Sequence, residues 1–319
     1  MPATHARRWS PRRRSTAVVG ALAALAFVLP AAPAAAEPAD DPPFIGWTAL
    51  LPPLASQYEP TSEDDCVAGR TSCVRRTIRE MERRLEPLGA GCSHSAVFAL
   101  AYLRTTEEYL HSSSTDGFYR EPAFVNHQDV VFAEMYFDAY DAWSAGRVER
   151  VPPAWRVAFG AADEGRVSGV GDLLLGMNAH VNRDLPFALA AIGLVAPDGS
   201  SRKVDHDRVN VMLNAVVEPL MAEEAARFDP TMKAPRTPYG VGYTALMQLL
   251  LAWREAAWRQ AELLVAAPDD ATRARVAASI ERNAALNAQV IATGTRYLPP
   301  LTSTGSRDRY CAVHTGAGG

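Results

Sequence analysis

The chain has 319 residues, of which 48% are hydrophobic and 21% charged, and its formal net charge is −4. A chain of this length and composition can bury a sizeable core. Its acidic balance argues against nucleic-acid binding, which depends on basic surface, so no nucleic-acid partner is expected.

The N-terminal segment has the pattern of an export signal. Arginines at 7–14 precede an apolar run of 13 residues, Ala17 to Leu29, and small residues follow at 34–36. The pattern predicts a signal peptide over 1–36, although an uncleaved anchor is the alternative. The segment holds five of the 32 Lys and Arg residues and no acid, so its removal takes the net charge to −9. We expect a secreted or cell-envelope protein with no membrane span after signal removal.

Four cysteines, Cys66, Cys73, Cys92 and Cys311, remain after the predicted cleavage. An even number in an exported protein favours two disulfides, and three pairings are possible. In one of them, Cys66 and Cys73 close a small loop while Cys92 and Cys311 tie the tail to the body. Zinc is the competing interpretation, but the chain contains no Cys-x-x-Cys pair.

Residues 37–70 are predicted to be an extended, proline-rich lead-in, and helical periodicity follows. The predicted helices cover, approximately, 74–88, 95–110, 121–145, 153–159, 170–194, 205–220, 241–266 and 270–293. Asp205 is expected to cap the sixth. Connections are short, so the pattern indicates an all-α, single-domain bundle of about seven to eight helices over 71–298. Residues 299–319 are predicted to be a C-terminal tail tied back by a disulfide.

The fifth predicted helix carries few charges, which indicates that it is buried. Its only charged residues between 169 and 194 are Asp172, Arg183 and Asp184. His180 and Asp184 are four residues apart and share a helix face with three apolar residues, Leu173, Met177 and Phe187. A buried imidazole and carboxylate must find partners. Two interpretations stay open: both residues bind a metal, or Asp184 only accepts a hydrogen bond from His180.

A metal site needs ligands from other helices. Asp129 on the third predicted helix and Asp207 at the start of the sixth are the candidates, and zinc or another divalent metal would be the cofactor of such a site, whose existence the sequence leaves open. Helix capping is the competing explanation for the acids at the start of the sixth helix.

The seventh predicted helix places tryptophans beside arginines over 253–259. Such a face could bind an anionic ligand, or it could be a core seam with arginine stems lying along it. The sequence contains no Gly-x-Ser-x-Gly, P-loop, dinucleotide or His-Glu-x-x-His motif.

The motif Asn-Ala-His-Val-Asn-Arg-Asp-Leu-Pro over 178–186 is distinctive. Together with 129–136, the His206-Asp207 pair with Asn210, and the tryptophan–arginine segment, it resembles domain of unknown function family 5995. The resemblance covers most of the chain after residue 36. It implies a helical domain and carries no established activity.

A looser likeness is to helical zinc-dependent nucleases and phospholipases C, whose metal helices also use His-x-x-x-Asp. The downstream histidine of that metal helix is missing here, and the chain after the predicted cleavage begins at Glu37. A three-metal centre is therefore disfavoured, while one or two metal ions remain compatible with the pattern.

The leading hypothesis is an exported, metal-dependent hydrolase. His180, Asp184 and Asp129 would be catalytic, and Asp207 would join them as a metal ligand. Bound metal would acidify a water molecule and polarise the substrate. The alternative is a non-catalytic cell-envelope protein that binds a small-molecule or lipid-like ligand between its helices.

Overall fold

The computed structural model describes residues 58–233 and 241–314, which fold as one set of packed helices. The predicted signal peptide and most of the predicted lead-in lie outside the described residues. The helices are α1 (Thr71–Ala90), α2 (Ser95–Ser113), α3 (Pro122–Ser144), α4 (Pro153–Asp163), α5 (Gly169–Met177), α6 (Leu185–Ile192), α7 (Lys203–Arg227), α8 (Val241–Val265), α9 (Asp270–Thr295) and α10 (Gly305–His314). Within the described ranges, β-type pairing is confined to two isolated bridges. The prediction of an all-α fold is confirmed.

Local signals set several helix ends. Pro122 and Pro153 stand in the first turns of α3 and α4, where a missing N–H is tolerated. The side chains of Ser168 and Asp269 accept backbone N–H groups at the starts of α5 and α9. Gly193, with a φ of 96°, ends α6 in a conformation that other residues rarely adopt.

Asp205 differs from its expected role. α7 begins two residues earlier, at Lys203, so Asp205 lies within the first turn of its own helix. Its carboxylate oxygens instead accept the backbone N–H groups of Arg120 and Glu121, at 2.8 and 2.9 Å. Asp205 therefore bonds the two backbone N–H groups just before α3. These hydrogen bonds connect α7 to the start of that helix.

The fifth predicted helix is the centre of the bundle. It runs as α5, a π-helical segment over Asn178–Asp184, and α6. The π segment packs against α3, α4, α8 and α9, and every one of its seven residues is buried. The prediction that this helix is buried is confirmed. Its π turn follows an i→i+5 pattern, which rotates the helix face that follows.

That rotation changes which residues share a face. Leu173 and Met177 line a cavity together with His180, whereas Phe187 packs in a separate apolar cluster with Phe124. The sequence pattern had placed all of them on one face, because it assumed regular α-helical spacing. The wider turn explains the difference.

The cysteines are bonded as Cys66–Cys73 and Cys92–Cys311. The C-terminal tail, for which the sequence showed no periodicity, contains α10. Arg307 of α10 is buried and donates to the carbonyl oxygens of Cys92 and Ser93, at 3.1 and 2.9 Å. Side-chain contacts and the disulfide therefore hold the same segment against the body.

Candidate functional site

The described part of the structure contains a cavity of ≈ 110 Å³ at the inner face of the central helix. Its walls come from α2, α3, α5, the π segment, α6, α7 and α8, and most of the lining side chains are apolar. The polar or charged exceptions are Tyr102, Thr105, Tyr109, Gln128, Asp129, His180 and Arg254. An apolar chamber with a few polar groups is the usual composition of a small-molecule site.

His180 faces this cavity from the π segment, with Asp184 behind it. Nδ1 of His180 lies 2.9 Å from Oδ2 of Asp184, and both side chains are buried. A carboxylate can only accept, so the geometry assigns the proton to Nδ1 and leaves a lone pair on Nε2. Nε2 has no hydrogen-bond partner among the described residues. Burial lowers the pKa of His180, although Asp184 opposes that change, so the imidazole is neutral near pH 7.

Asp184 has further partners. Trp155 Nε1 donates to Oδ2 at 2.9 Å, and Arg183 Nη1 donates to Oδ1 at 2.8 Å. Arg183 also reaches Glu281, at 2.9 Å. The buried carboxylate is therefore fixed by three donors, and it in turn fixes the orientation of the His180 ring.

Aromatic rings surround His180 on its other sides. The Phe132 ring lies parallel to the imidazole, with centroids 3.5 Å apart, and the Tyr102 ring meets it edge-on at 4.5 Å. The hydroxyl of Tyr102 is buried without a hydrogen-bond partner among the described residues. The rings hold the imidazole in place without occupying its free nitrogen.

Asp129 lines the same cavity from α3. It is 4% exposed, and its Oδ2 has no hydrogen-bond partner among the described residues. Burial raises the pKa of Asp129 to about 8, so the carboxyl group is mostly protonated at neutral pH. A protonated carboxyl group can donate a hydrogen bond to a ligand as well as accept one.

Asp207, the other predicted ligand, lies elsewhere. Its side chain is 50% exposed and pairs with Lys203 Nζ at 2.8 Å, and it does not line the cavity. Asp207 is the fifth residue of α7, and its spacing of four from Lys203 places the two side chains on one helix face. The cavity thus brings His180 and Asp129 together, keeps Asp184 behind His180 and leaves Asp207 outside.

The donor set fits a metal poorly. Across residues 58–233 and 241–314, no group of three or more His, Cys, Asp or Glu side chains is arranged to hold a metal ion. Both oxygens of Asp184 already accept hydrogen bonds.

Tyr102 and Tyr109 are cavity residues that the sequence did not suggest. Both belong to α2, where Phe98, Tyr102, Thr105 and Tyr109 recur at spacings of three or four residues. An aromatic stripe of this kind usually indicates core packing, and only the neighbouring helices show that this one faces an open space.

No helix among the described residues has both the length and the apolar character needed to cross a membrane.

Comparison with known proteins gives one match. No curated protein and no solved structure matches the chain. A family model matches residues 74–294, which span α1 to α9 and contain the whole cavity wall. The chain therefore belongs to the family of unknown function DUF5995.

Proposed function

We propose that this protein binds a small, largely apolar ligand inside the cavity between its helices. The observation that carries the proposal is an apolar chamber of ≈ 110 Å³ whose walls include polar groups without partners. An engineered apolar cavity of about 150 Å³ is large enough to bind benzene. At ≈ 110 Å³ the chamber is somewhat smaller, so it suits a slender alkyl chain better than a ring.

Packing energetics support a role for the chamber. Protein interiors are close-packed, so the apolar side chains around this space lose part of the dispersion contacts that close packing would give them. A ligand that fills the space would recover part of that loss and would satisfy buried polar atoms.

Calorimetric titration with straight-chain alcohols from butanol to decanol tests the proposal. We expect saturable binding with an optimum chain length, because the chamber has a fixed size. Val217→Phe, which fills the lining on α7, should abolish binding. Val211→Phe is the matched control, because Val211 is 66% exposed on the same helix. Equal binding by wild type and Val217→Phe would contradict the proposal.

A hydrolase is the second candidate, supported by the geometry of His180. An imidazole with Nδ1 held by a carboxylate and Nε2 free is oriented as a general base that can deprotonate a water molecule or hydroxyl group. Asp129, mostly protonated, would serve as the acid. Release of p-nitrophenol from short acyl esters is the assay, and His180→Gln should abolish it while alcohol binding persists. A rate equal to that of buffer would count against this candidate.

The metal-dependent form of this hydrolase is tested separately. It would require a divalent ion at His180 and Asp129, with further ligands outside the described residues or from water. Metal analysis of purified protein, prepared without chelators, provides the test. Near-stoichiometric zinc that His180→Gln removes would support this form, whereas metal-free protein would end it.

Export is part of the proposal. Two disulfides favour an oxidising compartment, and the basic and apolar pattern before Ala36 is typical of a signal peptide. N-terminal sequencing of material from the culture medium or cell envelope should begin at Glu37. Recovery of the protein with Met1 intact in a membrane fraction would contradict cleavage.

A further inference from the structure

Arg254 is a buried cation in the wall of the cavity, and no carboxylate of the described residues forms an ion pair with it. It lies on α8 and is 5% exposed. Its Nε donates to Oδ1 of Asn210 at 2.7 Å, and Nη2 donates to the carbonyl oxygen of His206 at 2.7 Å. These bonds fix the plane of the guanidinium group. Its Nη1 makes no hydrogen bond to any described residue.

The charge of Arg254 stands uncompensated. No carboxylate among the described residues lies within 4.0 Å of its guanidinium group, whereas the other two buried arginines face acids. Arg183 meets Asp184 at 2.8 Å, and Arg307 lies 3.7 Å from Asp172. A guanidinium group stays charged even when burial lowers its pKa, and a buried charge is unfavourable without an opposite one.

The neighbouring titratable groups do not neutralise this charge. Burial and the charge of Arg254 lower the pKa of His206 well below its usual value, so His206 is neutral. Asp129, the one acid among the described residues that line the cavity, is mostly protonated at neutral pH. Asp207 interacts with Arg254 only at longer range and pairs with Lys203. The protein thus leaves one positive charge for a ligand to match.

Arg254 also lies at one end of the chamber. Its partners on α7 are beside Val209, and the α7 lining continues from Val209 to Met221, about three turns or roughly 18 Å. On α8 the lining continues one and two turns back, at Leu250 and Leu246. The space is therefore charged at one end and apolar along its length.

We propose that the ligand is a chain-like carboxylate whose head pairs with Arg254 and whose alkyl chain lies between α7 and α8. This inference rests on the proposed binding function and specifies its substrate class. Nη1 of Arg254 can donate to a carboxylate whose negative charge balances the buried guanidinium group, and the apolar walls suit the alkyl chain.

The test compares octanoate, octanol and octylamine, which share a chain length and differ in head-group charge. Calorimetric titration of the full disulfide-bonded protein should give tighter binding for octanoate than for octanol, by roughly tenfold to a hundredfold, and no binding for octylamine. Octanol binding as tightly as octanoate would overturn the inference and leave the proposed apolar-ligand function intact. Failure of all three would overturn both.

Variants locate the effect. Arg254→Met should make octanoate bind no more tightly than octanol, whereas Arg259→Met should leave the preference for octanoate unchanged, because Arg259 is exposed and pairs with Glu255 and Glu262. A preference that persists in Arg254→Met would overturn the inference. Arg254→Lys covers the case in which the Met variant fails to fold. The lysine retains the positive charge, so this variant should keep a weaker preference for octanoate. Complete loss of that preference in folded Arg254→Lys would overturn the inference that the charge selects the ligand.

Discussion

His180 and Asp184 form a buried pair within the π segment, with Nδ1 2.9 Å from Oδ2. The pair is one edge of a larger network, because Arg183 and Trp155 donate to the same carboxylate. Its energetic role and its orientation of the imidazole can be measured separately.

Asp184→Asn should lower the free energy of unfolding by about 1 to 3 kcal/mol, since the amide nitrogen cannot accept and leaves a buried donor unsatisfied, while Arg183 keeps its ion pair with Glu281. Asp207→Asn is the control, because Asp207 belongs to a half-exposed pair with Lys203. That variant should change the stability by about 1 kcal/mol or less. Urea unfolding followed by circular dichroism provides the measurement. Equal effects of the two substitutions would show that Asp184 is not held as described.

Asp129 should make stability depend on pH. Burial raises its pKa from the ordinary value of 3.8, which applies in the unfolded chain, to about 8 in the folded protein. Between these two values the folded state keeps a proton that the unfolded state releases. Asp129 therefore contributes its full stabilisation of the folded state below about pH 4. This contribution is lost as the pH rises towards 8. The total change is on the order of 5 kcal/mol.

Asp129→Asn should therefore gain stability relative to wild type as pH rises from 4 to 8. Unfolding curves across that range give the difference directly. Asp207→Asn should keep the wild-type pH dependence. A constant difference between Asp129→Asn and wild type would mean that Asp129 ionises normally in the folded protein.

The two disulfides should contribute unequally. The chain-entropy model scales with the closed loop, and the sequence separations are 219 for Cys92–Cys311 and 7 for Cys66–Cys73. Replacing the first pair with alanine should destabilise by about 5 kcal/mol, and the second by about 2 to 3 kcal/mol. Unfolding midpoints of the two double variants provide the comparison. The reverse order would show that local packing outweighs loop closure.

Gly176 provides a test of packing beside the cavity. A methyl group at this position would overlap the ring of Phe98, which lines the chamber. Gly176→Ala should destabilise by about 1 to 3 kcal/mol. Gly294→Ala is the control, because its added methyl would meet nothing within 4 Å. It should be neutral or stabilising by up to about 1 kcal/mol, since alanine favours helix. Similar thermal shifts for the two variants would contradict the close approach at Gly176.

Several features follow from the sequence alone. Apolar periodicity predicted the helices, since it records which face of a segment is buried. The scarcity of charges near Leu173 and His180 predicted the buried central helix. The spacing of four between His180 and Asp184 predicted their contact, because that interval places side chains on one helix face.

Tertiary structure decided the composition of the site. Asp129 and Asp207 were equal candidates in the sequence, yet only Asp129 reaches the cavity, because α3 packs against the π segment there. Asp205 accepts the backbone N–H groups just before α3 instead of capping its own helix. From the sequence, Arg254 could either pack in the core or bind an anionic ligand. Its distance from the carboxylates of the described residues is visible only once α7 and α8 are packed together.

The division has a physical basis. Helix formation, capping and burial depend on residues within a few positions of one another, so the sequence determined an all-α domain with a buried polar pair. The choice among three cysteine pairings, the phase of α6 after the π turn and the walls of the cavity depend on contacts between residues far apart in the chain. Those contacts are set by how whole helices pack, and packing sums many weak interactions that no local pattern records.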